Sequence, residues 1–355
     1  TRLWKQSSRL ISRSITQNAG DHGEHYITRD KKEYWAMFYS AAGGGVLIAL
    51  MALFKTYLGS IIDDKVWKGI AEGLNYGLGF MVIFMLHFTV ATKQPAMTAA
   101  RFAEAVEKTP QGKTVNMKLA QLLVDVFRSQ SIAVLGNVLI AMGLAALIAF
   151  GYQYKTGEPL MNADQIAYQL HSIDPFAGTL WFAAIAGVWL FCSGIISGYF
   201  DNRSNYLNMR MRLTQHPLLK KLMSEKTRVK FANYMHENYG SLIGNLCFGM
   251  LLGITGVVGY LTHLPLDIRH VAFSSANVGY IAVSGHFTYS LLLQCIAFVL
   301  LIGLVNLIVS FSLTLWVALR SLNAEIDSWW LIWHEVCQIV KKRPLSLFLP
   351  VQLDK

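Results

Sequence analysis

Residues 129–154, SQSIAVLGNVLIAMGLAALIAFGYQY, decide the fold, because they contain no Asp, Glu, Lys or Arg. The hydrocarbon core of a bilayer is about 30 Å thick, and a helix needs about 20 predominantly apolar residues to cross it. This stretch is therefore predicted to be a transmembrane helix, and the rest of the chain can be searched for segments of the same kind.

The same search finds further long runs without a charged residue, and together they predict an all-α polytopic bundle of six transmembrane helices. The chain is 54% hydrophobic and only 15% charged, whereas soluble domains carry about 25% charged residues. This composition excludes a disordered chain and disfavours a soluble enzyme. Residues 270–287 read as a loop or a short re-entrant piece. The predicted spans are about 35–54, 73–92, 129–154, 175–200, 238–266 and 288–319.

The basic residues in the connecting segments predict the orientation of these spans. Counted along the chain, 26 Lys and Arg fall on one side of the membrane and 5 on the other. By the positive-inside rule the rich side is cytoplasmic, so both termini are expected in the cytoplasm. The predicted organisation is a cytoplasmic segment at 1–33, a membrane domain at 34–320 and a cytoplasmic amphipathic tail at 321–355.

Three cytoplasmic segments, at 96–108, 217–236 and 322–342, mix apolar and charged residues and are predicted to be amphipathic helices on the inner leaflet. The formal net charge of the chain is +10. Anionic lipid is the expected partner of this basic face, and nucleic acid is the alternative. The basic residues assigned to the face are Lys93, Arg101, Lys220, Lys221, Lys226, Arg228 and Lys230.

Each predicted span places one polar residue at a similar depth in the inner half of the membrane, and polar groups at that depth are candidates for function. They either line a hydrated pocket open to the cytoplasm or form hydrogen bonds between helices, and the second reading is favoured. The six residues of this polar layer are Ser40, His87, Asn137, Ser193, Asn245 and Ser312.

Glycines spaced four apart predict close helix packing, because small residues let two backbones approach in lipid. The spacing occurs at Gly194 and Gly198 in the fourth span and at Gly249 and Gly253 in the fifth. The fifth span carries more glycine than the others, so we expect it at the centre of the bundle.

No catalytic, metal or cofactor site is predicted from the residue pattern. The four cysteines are far apart in sequence and read as small buried apolar groups. The one gathering of possible metal ligands, at residues 21–25 (DHGEH), has the spacing of neither a zinc protease nor a zinc finger, and a solvated loop is the preferred interpretation.

Several motifs together resemble a bacterial membrane-protein family named site-specific recombinase (gonococcal type). They are GEHYITR at 23–29, SAAGGG at 40–45, HFTVATKQPAMTAARFAEAV at 87–106 and RHVAFSSANVGY at 269–280. The resemblance spans about residues 20–350 and implies a location in the inner membrane. Members of that family carry a further cytoplasmic helical region, so a missing N-terminal region or other membrane subunits are expected partners.

The family name implies site-specific DNA recombination, but the residues for that chemistry are not visible in the sequence. None of the ten histidines precedes an arginine at the spacing of the His-x-x-Arg element that tyrosine recombinases use. The first functional hypothesis is therefore a non-enzymatic membrane scaffold or a small-molecule passage protein. The alternative is DNA recombination or DNA binding at the membrane.

Overall fold

The structure, a computed structural model, describes residues 26–91, 94–108, 113–284, 287–326 and 328–350. These residues form α-helices and short 3-10 turns, among them Pro175–Ala177 and Pro344–Leu347, with no strand in the described part of the chain. The helices are α1 (Lys31–Ile61), α2 (Lys65–Met85), α3 (Gln94–Lys108), α4 (Lys113–Thr156), α5 (Ala163–Ile173), α6 (Thr179–Tyr206), α7 (Met209–Gln215), α8 (Pro217–Leu222), α9 (Glu225–Thr262), α10 (Val271–Ala282), α11 (Tyr289–Leu322) and α12 (Trp329–Lys342).

Five of these helices are long and apolar enough to cross a membrane: α1, α4 from Asn116, α6, α9 and α11. They coincide with five of the predicted spans. The prediction for 73–92 is wrong in its bounds, since α2 begins at Lys65 and ends at Met85. The side chain of Asp64 caps the start of α2 by accepting from the backbone N–H groups of Val66 and Trp67. The count of six spans is not confirmed by this criterion.

The segment 270–287, for which the sequence suggested a loop or a short re-entrant piece, contains the short helix α10. Ten of its twelve residues are buried, and it packs mainly against α4. The hydroxyl of Tyr280 donates to the carbonyl oxygen of Ala49 in α1 at 2.8 Å. The segment therefore enters the bundle and fills it from within, as a re-entrant element does.

The three segments that were predicted to be cytoplasmic surface helices differ in detail from that expectation. The helix α3 turns buried Phe102 and Ala103 toward α11 and α4 rather than toward lipid. The segment 217–236 is not one helix: it contains α8 and the first turns of α9, which begins at Glu225. In α12, Ile332 is buried while Trp330 is 73% exposed, which suits a helix at a membrane surface.

The two ends of the described chain meet at one end of the bundle. Arg128 of α4, only 4% exposed, donates from Nη2 to the carbonyl oxygen of Thr28 at 2.5 Å and from Nη1 to that of Ser346 at 3.3 Å. Its guanidinium also lies 3.0 Å from the carboxylate of Asp125. One buried arginine thus ties residues near both termini to the same helix.

The two halves of the described chain form an inverted structural repeat. In each half, two long helices are followed by a short helix, a third long helix and a short amphipathic helix: α1 to α5 in the first half, and α6 and α9 to α12 in the second. Each short helix packs on the third long helix of the other half, α10 on α4 and α3 on α11. The equivalent helices α2 and α9 run antiparallel, so the two halves are related by a two-fold axis.

That axis passes through the contact between Gly73 of α2 and Gly253 of α9, positions 180 residues apart in the chain. A Cβ atom added to Gly253 would collide with the backbone of Gly73 and would lie 2.5 Å from the carbonyl oxygen of Gly69. On either side of this point, Gly69 meets Val257 and Gly77 meets Gly249. Gly249 lies 180 residues after Gly69, and Val257 lies 180 residues after Gly77. The two-fold axis therefore converts the contact of Gly69 with Val257 into the contact of Gly249 with Gly77.

The other predicted glycine pair lies in α6. Gly198 is buried and Gly194 is half-buried, but the close approach of α6 and α9 uses glycines of α9. A Cβ atom on Gly244 would lie 3.0 Å from the carbonyl oxygen of Ser193 and would strike the Ser197 hydroxyl. The fifth predicted span, α9, is central, since it contacts α2 on one side and α6 on the other.

We predict that Gly253→Ala destabilises the protein by about 1–3 kcal/mol, because one methyl group forces two backbones apart. Gly143→Ala in α4 is the matched control, since nothing lies within 4 Å of the added atom; there alanine should stabilise the helix by about 0.5–1 kcal/mol. Thermal unfolding of the purified variants measures both. Equal melting temperatures for the two alanine variants would contradict the close contact.

Candidate functional site

Three members of the predicted polar layer meet around the non-helical segment 86–91 that follows α2. Asn137 of α4 donates from Nδ2 to the carbonyl oxygens of Ala41 at 2.5 Å and Thr89 at 2.9 Å. Its Oδ1 accepts from the N–H of Ala91 at 2.8 Å. The Ser40 carbonyl accepts from the N–H of Thr89 at 3.1 Å. One buried amide side chain therefore satisfies the backbone of the segment where the helix stops.

The remaining contact of this group explains the place of His87. Its backbone lies in the left-handed region, with φ at 57°, and its carbonyl oxygen accepts from the Ser40 hydroxyl at 3.0 Å. The imidazole ring is exposed. His87 thus takes part through its backbone, at the turn that ends α2, and not through its ring.

The other three residues of the polar layer lie apart. The Ser193 hydroxyl donates within its own helix to Leu190 at 2.8 Å, and the Asn245 amide does so to Ser241 at 2.9 Å. Ser312 is exposed on α11. Asn245 also lines a small inner cavity of about 30 Å³, together with Ser241, Thr89 and other residues.

A matching arrangement, which the sequence analysis missed, holds the segment before α10. Asn306 of α11 donates from Nδ2 to the carbonyl oxygens of Ala183 at 2.7 Å and Arg269 at 3.0 Å. Its Oδ1 accepts from the N–H of Val271 at 3.1 Å. The N–H of Arg269 donates to the carbonyl oxygen of Phe182 at 3.2 Å. Each of these bonds is the counterpart of one made around Asn137.

A polar cavity of about 480 Å³ opens beside the second of these segments, at the end of the bundle where α1 ends and α2 begins. This is the end opposite to Arg128, because α1 runs between them. Its walls come from α1, α2, α5, α10 and the segment that precedes α10. The charged lining residues are Lys55, Lys68, Glu72, Asp164, Asp267 and Arg269.

The charges in the cavity balance, with three basic and three acidic side chains. Lys55 Nζ lies 3.6 Å from the Glu72 carboxylate and 5.7 Å from the ring centroid of Tyr76. Arg269 forms a closer pair, with 2.6 Å between Nη1 and the Asp267 carboxylate. It is fixed further by a bond from Nε to the Ser172 carbonyl oxygen at 2.8 Å. The Arg269 pair is therefore positioned by its surroundings, whereas the Lys55 pair is looser.

The inner wall of the cavity is aromatic and apolar. Tyr76 packs on Phe273 with ring centroids 4.4 Å apart, and the imidazole of His270 lies among Phe80, Phe248 and Phe273 at 5.8–6.3 Å. Burial lowers the pKa of His270 to about 3, because an apolar setting disfavours the charged form. The ring is neutral at physiological pH and adds no charge to the cavity.

Comparison with protein families gives a single clear result. The family model described as site-specific recombinase matches residues 1–350. The chain belongs to the site-specific recombinase family. No curated protein and no solved structure shows significant similarity to it. The resemblance noted in the sequence is therefore confirmed.

The family name calls for a nucleophile that can reach DNA, and the described residues offer little for that role. Near the end of α6, the Ser204 hydroxyl lies 3.1 Å from Nδ1 of His236 and 3.2 Å from the carbonyl oxygen of the same residue. Ser204 is fully buried, so a DNA backbone has no access to its oxygen. No group of three or more His, Cys, Asp or Glu that could hold a metal occurs among the described residues; the DHGEH motif at 21–25 lies outside them.

The predicted basic face is divided among three elements. Arg101 of α3 pairs with the buried Glu104 at 3.3 Å, so it supports that helix. The other described members lie on α8 and on the first turns of α9, and most are exposed. Lys93 lies outside the described residues. The exposed members are Lys220, Lys221, Lys226 and Lys230, with Arg228 half-buried.

We predict that Asn137→Ala and Asn306→Ala destabilise the protein by similar amounts, each by about 3 kcal/mol, since each removes three hydrogen bonds and leaves a buried backbone N–H, of Ala91 or Val271, without this partner. Ser193→Ala is the control, because its hydroxyl bonds only a carbonyl of its own helix turn, and it should cost under about 1 kcal/mol. Thermal unfolding provides the comparison. A mild effect at one asparagine and a severe one at the other would contradict their equivalence.

Proposed function

We propose that this family member is a non-enzymatic membrane protein that binds a small polar molecule in the cavity between α1, α2, α5 and α10. The observation that carries the proposal is the cavity itself: about 480 Å³, lined by balanced charges and closed at its inner end by aromatic rings. Small-molecule sites are concave and combine apolar walls with a few well-placed polar groups. Polar side chains that lie in a membrane bundle and face its interior mark such sites.

We further propose that α2 is the sixth span and that both termini are cytoplasmic. At 1.5 Å per residue, α2 is about 32 Å long, enough to cross the hydrocarbon core. Its hydropathy is reduced by Lys68 and Glu72, but these line the cavity rather than facing lipid. The contacts of Arg128 with Thr28 and Ser346 and the 26-to-5 distribution of basic residues support this orientation. The cavity then opens to the outside.

The lining favours a molecule that carries both charges, such as an amino-acid-like zwitterion. The three acidic and three basic side chains give a formal charge of zero, and His270 is neutral. A bare anion or cation would meet as much repulsion as attraction there. The loose pair of Lys55 and Glu72, 3.6 Å apart, can separate to hold an amine on one side and a carboxylate on the other.

This proposal predicts that zwitterionic amino acids raise the melting temperature of the purified protein, whereas dicarboxylates and diamines of similar size do not. A ligand at 100 times its Kd adds about 2.7 kcal/mol of stability. Glu72→Gln should abolish the shift, because it removes the partner of the amine. Glu237→Gln, at an exposed carboxylate on the opposite face, should keep it. No shift with any zwitterion, or an equal shift in Glu72→Gln, would refute the assignment.

DNA binding remains the second candidate, because the family name implies it and the exposed lysines of α8 and α9 could meet phosphate groups. In α8 the apolar side chains of Leu218 and Leu222 are also exposed, by 61% and 78%. Lipid would bury these apolar side chains together with the basic ones, whereas DNA would leave them in water. The basic face is therefore proposed to lie on anionic lipid.

A competition shift with matched and random duplex DNA at about 150 mM salt separates the two candidates. Binding that depends on charge alone falls steeply with salt and shows no sequence preference, and this is the result we expect. Tight, sequence-selective binding, or strand cleavage by this chain alone, would favour the recombinase activity and contradict the non-enzymatic proposal.

A further inference from the structure

We propose that this protein is an alternating-access carrier, in which the outer polar cavity and a matching inner cavity open in turn. The proposal concerns the movement of the molecule, and it rests on the proposed function only for the identity of the cargo. Its basis is the inverted repeat of the fold together with the unequal size of two equivalent cavities.

The two cavities are equivalent under the two-fold axis. The inner cavity of about 30 Å³ and the outer cavity of about 480 Å³ are both lined by the segment that precedes a short helix and by that helix. Lining residues of one correspond to lining residues of the other, 180 positions along the chain. The pairs are Thr89 with Arg269, Val90 with His270 and Met97 with Asn277.

The same hydrogen bonds hold both cavity walls. Asn137 and Asn306 each donate to one carbonyl oxygen on the first long helix of a half, α1 or α6. Each also bonds one carbonyl oxygen and one N–H on the segment before a short helix, α3 or α10. Both walls are therefore built alike, although one cavity is about sixteen times larger. The carrier proposal therefore assigns the protein a second state, in which the two halves exchange their conformations.

The helix contacts allow such an exchange. The axis lies in the contact between Gly73 and Gly253, where the two backbones touch and the nearest side chain is that of Met250, 3.4 Å from a Cβ atom placed on Gly73. Because small residues line this contact, we take it as the pivot about which α2 and α9 rock against each other. Many membrane carriers are built from inverted repeats, with binding sites next to discontinuous helices at the repeat interface, and they work by rocking of one repeat against the other.

The test compares cysteine reactivity at the equivalent positions Asn277 and Met97. Each is changed to Cys in a background in which Cys192, Cys247, Cys295 and Cys337 are replaced by Ala. A charged, membrane-impermeant methanethiosulfonate is applied to one side of proteoliposomes at a time. Both positions should react, Asn277→Cys only from the outside and Met97→Cys only from the inside and more slowly, because the inner cavity is the closed one.

The decisive step adds a plug to the outer cavity. Gly59 lines that cavity near the Lys68 amine, so Gly59→Trp fits only when the cavity is wide and should hold the protein in that state. The reaction of Met97→Cys should then slow by about tenfold. Ser60→Trp, on an exposed neighbouring position outside the lining, is the matched control and should leave the rate unchanged.

The carrier proposal would be wrong if the reaction rate of Met97→Cys were the same with and without Gly59→Trp, or if Met97→Cys reacted from neither side. Thr56→Trp, at another lining position, serves as a second plug if Gly59→Trp fails to give folded protein by size-exclusion chromatography. No ligand is present in these experiments. Coupled reactivity without zwitterion binding would thus reject only the proposed cargo, whereas zwitterion binding without coupled reactivity would reject only the carrier.

Discussion

The contact of Gly73 with Gly253 is the constraint on which the rest of the structure depends. Lipid tails are as apolar as leucine, so helices in a bilayer gain little from burying apolar side chains and associate through close packing and hydrogen bonds. Two antiparallel helices that touch backbone to backbone at equivalent glycines place the two halves of the chain around a common axis. The positions of α1, α4, α6 and α11 follow, since each long helix packs on a partner already fixed by that pair.

The two asparagines solve the problem that the re-entrant segments create. Backbone that leaves a helix inside a bundle has polar groups that water cannot reach, and each unpaired group is costly. Asn137 and Asn306 supply one acceptor and two donated bonds at the points where this occurs. This allows the short helices α3 and α10 to start within the bundle and leaves space for polar cavities beside them.

The sequence predicted most of the membrane helices, because runs without charge are a direct consequence of bilayer thickness. It failed at α2 for two physical reasons. Lys68 and Glu72 line a cavity, so a search for charge-free segments placed the start of the helix too late. Residues 86–91 are uncharged, so hydropathy could not show that hydrogen bonds from Asn137 and Ser40 replace the helix there.

The candidate site was harder to predict than the fold. The polar layer included Asn137, but all of its residues were predicted in the half of the membrane nearer Arg128, whereas the large cavity lies at the opposite end of the bundle. A signal for the repeat was present in GIAEGLNYGLGF at 69–80 and GMLLGITGVVGY at 249–260, which share three glycines at the same spacing. The shared glycines alone indicate a repeat, but they do not show whether the two helices run parallel or antiparallel. Only the contact of α2 with α9 shows that the repeat is inverted.

Disulfide formation between α2 and α9 tests the central claim, an antiparallel two-fold contact at Gly73 and Gly253, most directly. A Cβ atom on Gly69 lies 3.6 Å from that of Val257, within the range of a disulfide. The account predicts that Gly69→Cys with Val257→Cys cross-links readily in membranes. It predicts no cross-link for Gly69→Cys with Gly249→Cys, which lie about 12 Å apart along the helices. The reverse pattern would show that the helices run parallel and would contradict the inverted repeat.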